Sequence, residues 1–381
     1  MKEVAMSRWE GVAVSIIVCG AVWAGPEFPI AVGPNQQYWP AISGTLVVWQ
    51  EMSGTAGTWD IKGADVRDPL HVQPFTVSAD VYGNEINPAI SGNTVVFQYD
   101  SDLLDETMIW MADISQLDRP TVWPLVQTAR GIHSYPVVSG DIVAWQDNMG
   151  PDWDIIAARV SAGTAYRLPL PMTYEDERFV ALEGTLLLWE RWSGQGINYI
   201  MGCDALDANA LAHPLFGADA NQWYPAISGH WAVCATDRGI AVDNLADPFI
   251  AKPVTGVLAD PMTRPSICQN VVVWAQKQGG QYDIYGYNIA QAKQFRITNQ
   301  AADQILPQVS FSPALGAYVV VWVDLRNGNW DIYGKVLDVK TDVGGCATAI
   351  KGDVNEDCKV DALDVAEVQS RIGQINGVPA Q

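Results

Sequence analysis

The sequence predicts an all-β chain: a seven-bladed β-propeller closed by its own N-terminal strand, followed by a short helical segment with a calcium loop. Three observations predict it. One strand–turn–strand phrase recurs seven times at intervals of 40–48 residues, a period that fits radially repeated four-stranded units. The last unit lacks an outer strand. A matching strand, with no other unit to belong to, stands at the beginning of the repeat region.

Each phrase is anchored on one position. Pro40, Pro88, Pro136, Val180, Pro225, Pro265 and Pro307 occupy it in turn. A short apolar strand, such as Pro40 to Ile42, runs into a turn, Ser43-Gly44-Thr45, where glycine supplies the backbone freedom a tight hairpin needs. The second strand is apolar on both faces, as in Leu46-Val47-Val48-Trp49, which predicts burial between neighbouring blades. Trp49, Trp145, Trp189, Trp274 and Trp322 recur there as core; Cys234 stands at the same place and reads as a buried thiol. The third strand carries a Trp/Tyr-Asp-Ile phrase at Trp59, Trp153, Tyr282 and Trp330, and a more polar fourth strand ends the unit, as at Phe75-Thr76-Val77. Phe28-Pro29-Ile30-Ala31-Val32 precedes Pro40 as Phe75 to Val77 precedes Pro88. It is expected to pair as the outer strand of the seventh blade, leaving no open edge.

The stretch Asp324 to Gly334, following a Val-Val-Trp strand, resembles the TolB-like propeller repeats of exported bacterial proteins over roughly residues 28–338. The resemblance implies the fold and leaves the function open. In such a blade the loops opposite the Ser-Gly turns vary most, and ligand sites concentrate in variable loops. That face is expected to carry Glu51, Asp100, Asp147, Asp303 and Asp324. At the start of the innermost strands, Trp39, Tyr135, Arg178, Tyr224 and Arg264 are expected to surround the channel mouth. Aromatic faces beside carboxylates and arginine suit a sugar or peptide ligand; the competing reading of the same aromatics is packing between blades.

Composition narrows the function classes. A formal net charge of −21 argues against nucleic acid, whose phosphates require Lys and Arg, and against anionic lipid. Lys2 and Arg8, the apolar run Gly11 to Val22, and the small residue Ala24 read as a secretory leader over residues 1–24. No later stretch is apolar enough to serve as a transmembrane anchor. The expected location is therefore secreted, periplasmic or cell-surface. Of six cysteines, Cys19 leaves with the leader; the remaining odd number means at least one thiol that is free or paired between molecules. Cys346 and Cys358 are placed to form a disulfide in an oxidising compartment.

The propeller is expected to occupy residues 25–340, with a linker over 341–350, a calcium loop and helix over 351–373 and a tail over 374–381. An EF-hand-like loop takes ligands at positions 1, 3, 5, 7, 9 and 12. Here these are Asp353, Asn355, Asp357, Lys359 through its carbonyl, Asp361 and Asp364. Such hard oxygen donors suit Ca²⁺. Val365, Val368 and Ile372 then mark one face of a helix. Asp364 in place of Glu, the leading Gly352 and the terminal position resemble a type I dockerin repeat. That resemblance implies a cohesin-like or cell-surface partner and association with polysaccharide degradation. The match covers one segment where dockerins carry two, and Cys358 stands at the usual turn glycine.

No catalytic signature emerges: the sequence holds no GxSxG elbow, HExxH or P-loop, and His71, His133, His213 and His230 are scattered. The leading expectation is a non-catalytic exported propeller that binds a polysaccharide or protein. The alternative is a polysaccharide-degrading glycoside hydrolase or lyase, since abundant carboxylates admit an acid–base pair.

Overall fold

A computed structural model describes residues 25–338, apart from short stretches in loops and turns and the longer stretch 254–262, together with Val343. The leader, the calcium loop with all six of its expected ligands, and the pair Cys346 and Cys358 lie outside the described residues.

The described chain forms seven four-stranded antiparallel sheets and no helix. From channel to rim, the first blade consists of Gln37–Ser43, Leu46–Met52, Trp59–Asp65 and Phe75–Ser78. The third consists of His133–Ser139, Ile142–Asp147, Asp154–Ser161 and Thr164–Arg167. The second blade begins with Gly83–Ser91, the fourth with Asp176–Glu183, the fifth with Gln222–Ser228 and the sixth with Ser266–Cys268. The second strands are buried as their double-sided apolar pattern requires. Trp49, Trp274 and Trp322 are fully buried, Trp189 and Trp145 nearly so, and Cys234 is a fully buried free thiol. Most of these indoles find an acceptor two residues on: Trp49 Nε1 donates to Glu51, Trp145 to Asp147, Trp274 to Gln276 and Trp322 to Asp324. This removes the cost of burying an N–H.

The seventh blade is Gln304–Ser312, Ala317–Asp324 and Asp331–Leu337, completed by Phe28–Ala31. Register shows why these residues fit. Phe28 lies opposite Gly334, as Phe75 lies opposite Gly63 and Phe295 opposite Gly286. Each phenyl ring lies where a Cβ on its glycine would sit, at 2.4–2.9 Å. The glycine in the third strand is thus a seat for the outer-strand aromatic. The segment resembling TolB-like repeats receives the incoming chain: Asn329 Nδ2 donates to the carbonyls of Gly33 and Asn35, and Arg326 pairs with Glu27 at 2.6 Å.

Blade-to-blade locking comes from the short turns. A side chain at or near the end of each innermost strand accepts a hydrogen bond from a backbone N–H of the next blade. Ser43 receives Gly92, Ser91 receives Gly140, Ser139 receives Gly184 and Glu183 receives Gly229. Ser228 then receives Gln269, Cys268 Sγ receives Phe311, and Ser310 receives Gly44. The seven bonds run once around the ring and join its ends.

Candidate functional site

Six of the innermost strands begin three to five residues before the anchor, earlier than the sequence suggested, because a bulge is built in; that of the sixth blade begins at Ser266, just after Pro265. Register slips between Tyr38 and Ala41, Ile86 and Ala89, Ser134 and Val137, Arg178 and Ala181, Trp223 and Ala226, and Ile305 and Gln308. The residue before the anchor takes left-handed backbone at Trp39, Asn87, Tyr135, Phe179, Tyr224 and Leu306, with φ of 50–56°. That conformation costs a non-glycine residue about 1–2 kcal/mol. Three of these positions are held by a side chain from the preceding blade, just past its core aromatic. Gln50 Oε1 accepts from Asn87 N, Gln146 from Phe179 N, and Glu190 from Tyr224 N at 2.6 Å.

The bulge turns Trp39, Asn87, Tyr135, Phe179 and Tyr224 into the channel, whereas Leu306 packs into the core. Trp39 and Tyr135 have ring centroids 6.0 Å apart, Tyr135 and Phe179 5.3 Å, and Phe179 and Tyr224 5.4 Å. The last two contacts are edge-to-face, the favoured geometry for aromatic quadrupoles. Tyr38 extends the series, 5.8 Å from Trp39 and 6.2 Å from Trp330. Arg264 enters from the sixth blade. Its guanidinium carbon lies 4.1 Å from the Tyr224 centroid, 4.7 Å from Trp39 and 5.1 Å from Phe179. Among the described residues no hydrogen bond or ion pair engages this guanidinium. Beyond the cluster the channel encloses about 350 Å³, walled by Pro40, Ile42, Pro136, Leu182, Pro225 and Ile267 among others.

Of the five residues expected at the mouth, Trp39, Tyr135, Tyr224 and Arg264 converge there. Arg178 does not line the channel. It precedes the bulge, so its side chain leaves on another side, pairing with Asp176 at 3.1 Å and stacking 5.0 Å from Trp153. Phe179 fills the place instead. The sequence held the signal, because Phe179, and not Arg178, directly precedes the anchor position. The expected carboxylates also behave differently. Asp324 is fully buried between the Trp322 indole and Arg326, and Asp147 is buried against His133 and Trp145. Asp100 accepts from Gln98, and Asp303 from the Tyr282 N–H. These groups organise loops.

One carboxylate approaches the cluster from below. Burial pushes the Glu190 carboxyl up to about 7, against the lowering effects of the Tyr224 N–H, Arg264 and Arg178.

The class defined by this architecture is the seven-bladed β-propeller sealed by an N-terminal strand. No family model matches the sequence, and no curated protein does. Among solved structures, the chain is similar to the β-propeller domain of the Trilobed protease from Pyrococcus furiosus. The TM-score is 0.54 at 8% identity, over 81% of this chain and 94% of that one. A structure from a study of two prolyl endopeptidases matches with a TM-score of 0.50 at 15% identity, over 77% of this chain and 46% of that one. TolB from Acinetobacter baumannii matches with a TM-score of 0.43 at 16% identity, over 61% of this chain and 57% of that one. The chain thus spans about half the length of the last two. Identities this low carry the fold and nothing further.

Proposed function

We propose that this protein is an exported, non-catalytic propeller that binds a glycan at the channel mouth. The observation that supports this reading is the arc of Trp39, Tyr135, Phe179 and Tyr224 around the Arg264 guanidinium. Ring faces and edges suit the C–H surfaces of a sugar, and an arginine fork suits its hydroxyl or carboxylate oxygens. A protein ligand reading would use the same groups on a carboxylate side chain. In the proposal, the leader over residues 1–24 directs export. The loop of Asp353, Asn355, Asp357, Lys359, Asp361 and Asp364 binds Ca²⁺ and assembles the protein with a cohesin-like or surface partner.

The test is a glycan array run alongside a reducing-sugar release assay, on the full chain and on its Trp39→Ala and Tyr224→Ala variants. Retention without release, lost in both folded variants, supports the proposal. Release of reducing ends favours the alternative of a polysaccharide-degrading enzyme. Absence of both, or retention unchanged in the variants, overturns glycan binding at this mouth.

A further inference from the structure

The internal repeats act as controls for one another, and one blade differs. The aspartate of the third-strand phrase is partnered in three blades. Asp60 pairs with Lys62 at 3.4 Å and Asp283 with Arg296 at 2.8 Å. Asp331 accepts from Asn327 at 2.7 Å and Asn329 at 3.0 Å. In the third blade the same position is Asp154. It is nine-tenths buried, and among the described residues its Oδ1 has no hydrogen-bond partner.

The register explains the difference. Arg296 lies opposite Tyr285, two residues along from Asp283, within reach of its carboxylate. The arginine of the third blade, Arg167, lies opposite Ala158, four residues along from Asp154. It lowers the Asp154 carboxyl through space without pairing with it. The residue two places after the aspartate also changes. Lys62, Tyr285 and Tyr333 fill that space in their blades, whereas the third blade has the smaller Ile156.

A cavity of about 460 Å³ results, between the outer strand of the second blade and one face of the third. Side chains alternate along strands, so Asp154, Ile156 and Ala158 share this face. Cross-strand pairing adds Trp145 opposite Ile156 and Asp147 opposite Asp154. Leu125 and Val126 supply the facing wall, and exposed Met149 and Arg167 stand at the rim. The volume fits a small-molecule site, mostly apolar with one convergent polar end. Asp147 is saturated by His133, the Trp145 indole and the Met149 N–H, which leaves Asp154 as the open acceptor. Burial, and then the negative charges of Asp152, Glu177 and Asp147, raise its carboxyl to about 6; among the described residues Arg167 acts on it only through space, and no cation pairs with it.

We propose that this cavity binds a small organic cation, a primary ammonium or guanidinium on a compact apolar body, with its charged head on Asp154. The ligand supplies what Lys62 supplies in the first blade and Arg296 in the sixth, while its body fills the space of Tyr285 and Tyr333. The site is separate from the channel mouth and does not depend on glycan binding there.

Calorimetry and ligand-observed NMR on the full chain at pH 8 test it, with phenethylamine as the probe and 2-phenylethanol as its neutral counterpart. The expected result is saturable binding of the amine alone, about tenfold weaker or more in Asp154→Asn, because a charge-assisted bond becomes a neutral one. Ile156→Tyr, which restores the filling of the sister blades, is expected to abolish it. Circular dichroism of both variants checks that they fold. Amine binding unchanged in folded Asp154→Asn, equal binding of the alcohol, or no saturable binding at millimolar amine overturns the proposal.

Discussion

Sealing of the ring by Phe28–Ala31 is open to a quantitative test at one contact. Phe28 is buried, and its ring lies where a Cβ on Gly334 would come within 2.9 Å of it; Ile30 lies equally close. Replacing Phe28 by Ala removes a buried ring and leaves a cavity, at a cost of about 3–5 kcal/mol. Replacing Gly334 by Ala forces a methyl into the ring, at a cost of about 1–3 kcal/mol. Once the ring is gone, the remaining close contact is the Cδ1 end of Ile30, a flexible side chain that can move into the vacated space, so much of the second cost disappears. The double variant should therefore be more stable than the sum of the single variants predicts, by about 1 kcal/mol or more. Independent sites add within about 0.3–0.5 kcal/mol. Urea unfolding of the four proteins reads this coupling. The pairs Phe75 with Gly63 and Phe295 with Gly286, in blades closed by continuous chain, serve as references. Strict additivity for Phe28 and Gly334, beside coupling in the reference pairs, would refute the pairing. Deletion of residues 25–34 should lower the melting temperature sharply; an unchanged melt would refute it independently.

Further expectations concern other parts of the ring. Ser310→Ala removes the acceptor for the Gly44 N–H at the joint between the last and first blades; unfolding measurements should show a loss of about 1 kcal/mol. Cys268→Ser keeps the acceptor for Phe311 N and should cost nothing measurable in the same experiment. Glu190 has a carboxyl raised from an ordinary 4.5 to about 7, so the folded state holds its proton more tightly than the unfolded state. Its contribution is intact below about 4.5, declines through the interval up to 7, and is fully lost above it. Glu190→Gln, which keeps an oxygen for Tyr224 N, should stabilise the protein at pH 8, by up to about 3 kcal/mol, and change little at pH 4. An equal effect at both pH values would contradict this. For the proposed calcium loop, calorimetry should show Ca²⁺ binding that is lost in the Asp353→Ala, Asp357→Ala double variant.

The fold was legible because its determinants are local and repeated. The double-sided apolar strands, the Ser-Gly turns and the displaced Phe28 segment each carry their meaning in a few residues, and the sheets follow them. Two things were not legible. The turn serines read as turn formers, yet their hydroxyls bind the next blade more than forty residues away, as Ser43 does for Gly92; a spacing of one full repeat gives no local signal. The direction of the mouth residues was half legible. Spacing brought Trp39, Tyr135, Tyr224 and Arg264 together correctly. Arg178 was misplaced because a bulge shifts alternation by one residue, and bulges leave little trace in composition. The partner of each third-strand aspartate was also hidden, since it depends on how far along the outer strand an arginine falls.

The bulge before six of the anchors has a consequence for how such a molecule diversifies. Its backbone is set by the following anchor and, in three blades, by a side chain of the preceding blade, leaving the mouth residue itself largely unconstrained. Trp39, Asn87, Tyr135, Phe179 and Tyr224 already occupy five such places in the channel lining. The mouth is thus a palette whose slots are spread over five separate stretches of gene. Randomising them together would sample new specificities on an unchanged frame, and β-branched residues, which tolerate left-handed backbone poorly, are the ones to omit.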